Sequence, residues 1–216
     1  MKNLSLFLLG VLLFCGCANG QSEDHSFAKL PAPKEGEKLA TFAGGCFWAM
    51  SEAMSELKGV NKVVAGFCGG TVKNPTYEQV CEKNTEHAES VEIYYDPKVI
   101  TYQQLVEAFF YAHNPTELNY QGPDEGDDYR SEIFYRTPEE KAIVMDEIKK
   151  VNASHHYGAA IVTKVEPFKV FYPAEVYHQG YYRLHPESGY IQSVSVPKVM
   201  KMRKAVPNLL KPEFAK

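Results

Sequence analysis

The chain reads as an α/β (α+β) protein on a ferredoxin-like split βαβ core, and three observations support this. Short apolar or alternating runs interleave with segments of helical apolar spacing. The first six elements run βαββαβ, the order of a split βαβ unit. The breaks between them carry Gly, Pro or a capping Thr.

Leu39–Ala43 is an apolar run expected as the first strand. Cys46–Lys58 follows with Phe47, Met50, Ala53, Met54 and Leu57 on one helical face, and Gly59 as its stop. Val60–Phe67 is the second strand. Ser90–Tyr95 alternates through Val91, Ile93 and Tyr95 as the third. Thr101 caps a helix carrying Leu105, Val106, Phe109 and Phe110, which Asn114-Pro115 ends. Ser131–Arg136 is a short strand. Thr137-Pro138-Glu139-Glu140 starts a third helix through Lys150, with Pro at the first position and Glu at the capping-box position. Ile161–Val165 is a further strand. The stretches 68–88 and 113–130 show no clear element, and loops this long in a compact domain usually carry function. Beyond Glu166 the periodicity is weak.

The 216 residues suffice for one domain with a sizeable core. Net charge is −4, and no basic stripe is interleaved with aromatics, so nucleic acid is not an expected partner. Residues 1–17 read as a lipoprotein-type export signal: Lys2, then an apolar run from Leu4 to Phe14 too short to span a bilayer, then Gly16-Cys17. Cys17 is the expected acylation site. A bacterial lipoprotein of the periplasm or outer membrane follows, with ordinary secretion of a soluble protein as the alternative. Residues 18–37, with Pro31 and Pro33, read as a tether. Residues 38–190 form the expected domain, and 191–216 a basic, solvated tail. A monomer is expected.

Cys46, Cys68 and Cys81 remain in the mature body, an odd number and not a disulfide framework. Zinc on these three and His87 lacks the spacing of a finger or ribbon. Cys46 stands out, in Ala43-Gly-Gly-Cys-Phe-Trp48, where a strand turns into a helix N-terminus. Free N–H groups and the helix dipole there should stabilise a thiolate and lower the thiol pKa. Gly44 and Gly45 should leave room for approach to the sulfur. The alternative is a buried structural cysteine. Glu89, at the entry to an apolar strand, could stay protonated near neutral pH, with an exposed carboxylate at a strand end as the competing account. Tyr77 and Tyr129 could donate O–H bonds to an oxygen, although with 14 tyrosines ordinary packing is the competing account. A thiolate that attacks an electrophilic sulfur, with an acid to protonate the departing oxygen, fits this set.

Taken in order, Gly44-Gly-Cys46-Phe-Trp48, Asn74-Pro-Thr-Tyr77 with Val80-Cys81, His87-Ala-Glu89, Gln121-Gly-x-Asp124 with Tyr129-Arg-Ser131, Phe171-Tyr-Pro-Ala-Glu175 with His178-Gln179, and Gly189-Tyr190 resemble the A-class peptide methionine sulfoxide reductases. The resemblance implies a two-layer α/β sandwich on the ferredoxin-like core. It implies reduction of methionine-S-sulfoxide, free or in oxidised proteins, with no bound cofactor or metal and a thioredoxin-type dithiol as electron donor. By that likeness Cys46 is the nucleophile, Glu89 the acid, and Tyr77 and Tyr129 bind the sulfoxide oxygen. Phe47, Trp48 and Tyr190 form the methyl pocket, Asp124 orients the site, and attack leaves a sulfenic acid on Cys46.

The departures are Ala49 for Gly, Phe67 for Tyr, Glu86 for the Gly before His87, and Pro123 and Asp128 in the loop of Asp124 and Tyr129. Ile191 follows Tyr190 where many relatives carry the cysteine that resolves the sulfenic acid. The remaining candidates are Cys68 and Cys81, or an external thiol. Cys68 is the preferred one. The first two strands should be parallel, so Cys46 and Cys68 leave the sheet at one edge, and Gly66, Gly69 and Gly70 loosen the loop. Two other functions compete. A cysteine hydrolase or acyltransferase needs His87 or His178 beside Cys46, and a non-catalytic surface lipoprotein predicts an unreactive Cys46.

Overall fold

A computed structural model describes residues 23–215 of the chain. The expected export signal and the expected acylation site Cys17 lie outside the described residues.

Strands β1 (Lys38–Gly44), β2 (Val60–Cys68), β3 (Ala88–Tyr95), β6 (Ser131–Tyr135), β7 (Lys164–Pro167) and β8 (Phe171–Pro173) form one sheet in the order β7-β6-β1-β3-β2-β8, and β4 (Tyr120–Gln121) and β5 (Asp124–Glu125) form a small hairpin. The central four strands pair antiparallel throughout, and β7 adds parallel to β6. β1 and β2 both run antiparallel to β3. They are therefore parallel to each other with one strand between, the expected split βαβ geometry. The helices are α1 (Phe47–Ser55), α2 (Tyr77–Cys81), α3 (Tyr102–Ala112), α4 (Pro138–Ala153), α5 (Tyr181–Leu184) and α6 (Val196–Ala205).

Alternation divides the sheet's two faces. Ala40, Phe42, Ala65, Phe67, Val91, Ile93 and Tyr95 pack with Met50, Met54, Leu105 and Phe109 of the helices in the main core. Val64, Cys68, Ala88, Tyr94, Phe134 and Phe171 form a smaller cluster on the other face. Glu92 lies buried on that second face, accepting from Thr41 Oγ1 and from Arg136 at 2.6 Å each. All eight residues of the central strand β3 are buried. Glu89 is therefore held by a buried strand paired on both sides.

Thr101 caps α3 with a full capping box to Gln104. Thr137 caps α4, but Glu140 reaches one residue further back than expected and accepts from the Arg136 N–H at 2.6 Å.

Four expectations need correction. The stretch 68–88 holds α2, whose capping box Thr76-x-x-Gln79 was readable in the sequence. The stretch 113–130 holds the β4–β5 hairpin and a 3-10 turn, Asp127–Tyr129. The segment 191–216 is no solvated tail. A π-helical turn, Ile191–Ser195, leads into α6, and Ile191, Val199, Met202, Val206 and Leu210 are buried. Arg203 grips the fully buried Glu56 with two bonds of 2.7 and 2.6 Å. Lastly, part of the tether is docked. The main chain of Asp24, Ser26 and Ala28 bonds that of Tyr177, Val176 and Ala174, and Tyr94 donates to the Pro31 carbonyl.

Candidate active site

Cys46 is the N-cap residue of α1, between the end of β1 and the helix, and it is 5% exposed. Gly45 has φ +76°, a left-handed conformation that favours glycine. A Cβ on Gly45 would strike Gln121, and one on Gly44 would strike Met50 and Phe109. The two glycines thus make room for the protein's own packing, not for approach to the sulfur as expected. Gln121 is fixed in turn by two bonds to the Asn114 main chain, which hold the β4–β5 hairpin beside the nucleophile.

The first N–H of α1, on Phe47, donates to Glu89 Oε2 at 2.9 Å. That of Trp48 serves the Cys46 sulfur. Glu89 extends from β3 on the same face of the sheet as Phe67 and is 2% exposed. Burial, opposed by the Phe47 bond and aided by the charges of Asp128 and Asp124, pushes its carboxyl up to about 8. Glu89 is then a neutral acid at neutral pH, with one oxygen tied to the helix and a proton to give. Burial is also the main influence on Cys46. It raises the thiol, the Glu89 carboxyl raises it further, and the Tyr190 hydroxyl and Trp48 N–H only partly compensate. The lowered thiol pKa expected from the helix terminus is overturned, because desolvation outweighs the dipole. In the free protein Cys46 is a thiol.

A cavity of about 340 Å³ opens over this pair, lined by Cys46, Phe47, Trp48, Tyr77, Glu89, Asp124, Tyr129 and Tyr190 together with Tyr181 and Ser188. All eight residues singled out around the nucleophile and its acid in the sequence meet here. Trp48 stacks on Tyr181 at 3.8 Å and 10°, and Tyr190 stands edge-on to it at 5.7 Å. Phe47 is flanked by Tyr77, Phe67 and His178. The Tyr190 hydroxyl donates to Asp124 Oδ2 at 2.7 Å and touches the Cys46 thiol. Burial followed by the charge of Glu89 raises the Tyr77 and Tyr129 hydroxyls, which stay protonated donors.

The surrounding shell comes from segments whose roles the sequence did not disclose. Glu175 accepts the first N–H of α2, on Tyr77, at 3.0 Å. His178 accepts from the Trp48 indole at 3.2 Å, and burial pushes it down to about 4, so it is a neutral acceptor. Gln179 clasps the Ala65 main chain with two bonds. His87 bonds Gly70 N–H and the Val72 carbonyl. Both histidines are thus committed elsewhere, and neither bonds Cys46 as a hydrolase would require. Lys198, on α6, carries no local signal in the sequence, where its segment reads as a solvated tail. It points inward, 3.6 Å from Asp124 Oδ2.

The resolving candidates separate cleanly. Cys68 is on the second face of the sheet, 1% exposed, donating to the Val170 carbonyl, and burial pushes its thiol up to about 12. It borders a different cleft, of about 440 Å³, with Arg130 and Lys164. The expectation that a shared sheet edge brings it to Cys46 fails, because strand alternation turns its side chain away. Cys81 is exposed and ends α2, with its thiol beside the Tyr77 hydroxyl.

A thiol nucleophile, a neutral carboxylic acid and phenolic donors around an aromatic slot make up a thiol-dependent enzyme site without a histidine base. A sequence profile of the peptide methionine sulfoxide reductase family matches residues 38–209. A peptide methionine sulfoxide reductase from Rhodopirellula baltica is 47% identical over 171 residues, 79% of this chain and 88% of that one. The reduced form of Mxr1 from Saccharomyces cerevisiae superimposes with a TM-score of 0.68 at 32% identity, covering 73% of this chain and 91% of that chain. A structure of the same yeast protein in complex with Trx2 aligns with a TM-score of 0.50 at 24% identity, over 70% and 89%. The chain belongs to the peptide methionine sulfoxide reductase family. It is an oxidoreductase that reduces methionine sulfoxide by means of a thiol.

Proposed function

We propose that Cys46 is the nucleophile and Glu89 the proton donor in the reduction of methionine-S-sulfoxide, free or in oxidised proteins. The observation that carries this is the Phe47–Glu89 bond, which ties an un-ionised acid to the helix end that bears the thiol. The Cys46 sulfur bonds to the sulfoxide sulfur as Glu89 passes its proton to the oxygen; the substrate S–O bond and the new S–S bond then break as the oxygen, now a hydroxyl, bonds to the Cys46 sulfur. Cys46 ends as a sulfenic acid, oxidised by two electrons, and the substrate as a thioether, reduced by two. The thiol proton restores Glu89. Tyr77 and Tyr129 donate to the oxygen, and Phe47 and Trp48 hold the methyl group, with Tyr190 at the edge. Fixing oxygen and methyl at separate side chains around one sulfur favours one sulfur epimer. Replacing Cys46 by Ser tests the assignment: a folded variant should lose the activity, and substantial remaining turnover would refute it.

The electrons come from the thiol, so the chemistry requires no bound cofactor, and a thioredoxin-type dithiol is the proposed donor that regenerates Cys46. The yeast relative's complex with Trx2 supports this reading. Cys81, on the pocket's side of the sheet, is the proposed second cysteine in place of Cys68. We further propose export and acylation at Cys17, with soluble secretion as the alternative, on the short apolar run ending in Gly16-Cys17. Fatty-acid labelling that is lost in Cys17→Ala would support the anchor.

A further inference from the structure

Lys198 enters the site from the first turn of α6, a helix whose neighbouring Pro197 and Met200 are exposed. A lysine there has an easy route to water, because its long stem can snorkel. Lys198 instead turns inward: its side chain is 14% exposed, and Nζ is sealed from solvent with no hydrogen-bond partner among the described residues. A sealed ammonium carries a desolvation cost that nearby opposite charge must offset. The nearest such charge is Asp124 Oδ2 at 3.6 Å, beyond hydrogen-bond range but well within Coulombic reach. That same oxygen accepts the Tyr190 hydroxyl, and Tyr190 touches the Cys46 thiol.

The ammonium therefore stands at the head of a line, Lys198–Asp124–Tyr190–Cys46, that ends at the nucleophile. The groups around Glu89 make its charge matter. Asp124 of β5 and Asp128 of the 3-10 turn are acidic neighbours, and Cys46, Tyr77, Cys81 and Tyr129 are the other titratable ones. Phe47 offers an N–H dipole, and Lys198 is the cation that acts on Glu89 from α6. His113 of α3, also within reach of Lys198, is neutral: burial pushes it down to about 3.

We propose that Lys198 is a positioning residue of the reductase site: its enclosed ammonium keeps the Asp124–Tyr190 hydrogen bond beside Cys46 and balances the acids around Glu89. This rests on the roles assigned above to Cys46 and Glu89. Without the cation, Asp124 is free to turn toward water, Tyr190 loses its fixed acceptor, and the negative charge near Glu89 is uncompensated. Glu89 would then hold its proton more tightly and deliver it less readily.

The test compares Lys198→Met and Lys198→Arg with the wild type in single-turnover reduction of methionine sulfoxide across pH, and in alkylation of Cys46 across pH followed by mass spectrometry. The Met variant should react roughly tenfold more slowly or worse, the scale of impaired general-acid help, with half-saturation by sulfoxide changed less than about threefold. The alkaline limb of its pH profile and its Cys46 alkylation midpoint should both move up, and Arg should restore them. Lys198→Gln replaces Met if that variant does not fold. A Met variant with the wild-type rate and both wild-type pH profiles would overturn the proposal. So would Met and Arg variants equally slow with unmoved profiles, the signature of a merely structural residue. The alkylation profile keeps the two readings apart. A wild type inert toward sulfoxide would sink the reductase roles, whereas a shifted midpoint in the Met variant would still report the Lys198 line to Cys46.

Discussion

The main-chain N–H of Phe47 donates to the Glu89 carboxyl group across 2.9 Å, so the residue that follows the nucleophile in sequence holds the acid that works with it. The N-terminus of α1 thereby serves two masters. Its first N–H steadies the acid and its second faces the sulfur, and burial leaves both groups protonated in the resting protein.

Glu89→Gln is expected to slow sulfoxide reduction by roughly 10²-fold or more, the usual scale for losing general-acid help. In the wild type the acid form is needed, so the reduction step should fall as pH rises through about 8, and the variant should lose that limb. Stability has the same sign. The folded pKa lies above the unfolded one, so stability is full below about 4.5 and is lost as pH rises toward 8. The variant should therefore gain in Tm over the wild type more at pH 8 than at pH 5. Equal differences at both would count against a protonated Glu89.

Alkylation should rank the three thiols. Cys81 is exposed, Cys46 is 5% exposed and Cys68 1% exposed. Brief treatment with iodoacetamide at neutral pH should label Cys81 first, Cys46 slowly and Cys68 last, as read by peptide mass spectrometry. Labelling of Cys46 ahead of Cys81 would show a thiolate that this burial does not allow.

Recycling can be read by counting thiols after one equivalent of sulfoxide. Attack by Cys81 on the Cys46 sulfenic acid removes two thiols, and Cys81→Ser should then lose only one. Cys68→Ser should behave as the wild type, since its side chain lies across the sheet. A Cys68→Ser variant that fails to form the disulfide would reverse this assignment.

Glu86 has φ +61°, a left-handed conformation for a residue with a side chain, at the position where the resembling family has Gly. Glu86→Gly should raise stability by about 0.5–1 kcal/mol, the relief of left-handed strain being partly offset by glycine's freedom in the unfolded chain. Thermal denaturation reads the difference, and a lower Tm would contradict it.

Arg203→Met should cost roughly 3 kcal/mol, because it strands the fully buried Glu56 carboxylate that pins α6 to α1. Denaturant unfolding measures this, and a loss below about 1 kcal/mol would mean that the carboxylate finds another partner.

The core of the fold was legible because its signals are local and periodic. The alternation of Val91, Ile93 and Tyr95 and the cap at Thr101 each determine their own element. The site was legible because its residues flank such elements: Cys46 at a strand-to-helix junction, Glu89 at a strand entry. What stayed hidden depends on tertiary contact. α2 is only five residues long, and Glu175 from a distant segment supports its start. The last helix carries a run of charges that reads as solvated until Glu56 and Asp124 claim Arg203 and Lys198. Cys68 shows the converse limit. Topology placed its strand end correctly at the same edge of the sheet as that of Cys46, one strand away, but one residue of register decides the face, and the face decides the chemistry.

The docking of Asp24 onto Tyr177 also sets a leash. If an acyl group holds Cys17 in a bilayer, the docked residue nearest to it in sequence is Asp24 and not the start of β1, and a chain of that length spans at most about 25 Å when fully drawn out. Tyr177 adjoins His178, whose ring packs on Phe47 and bonds Trp48. With that anchor, the fastening point would lie on the catalytic side of the domain and the patrol radius of the pocket would be short. An enzyme moored this way would repair what lies along the membrane surface.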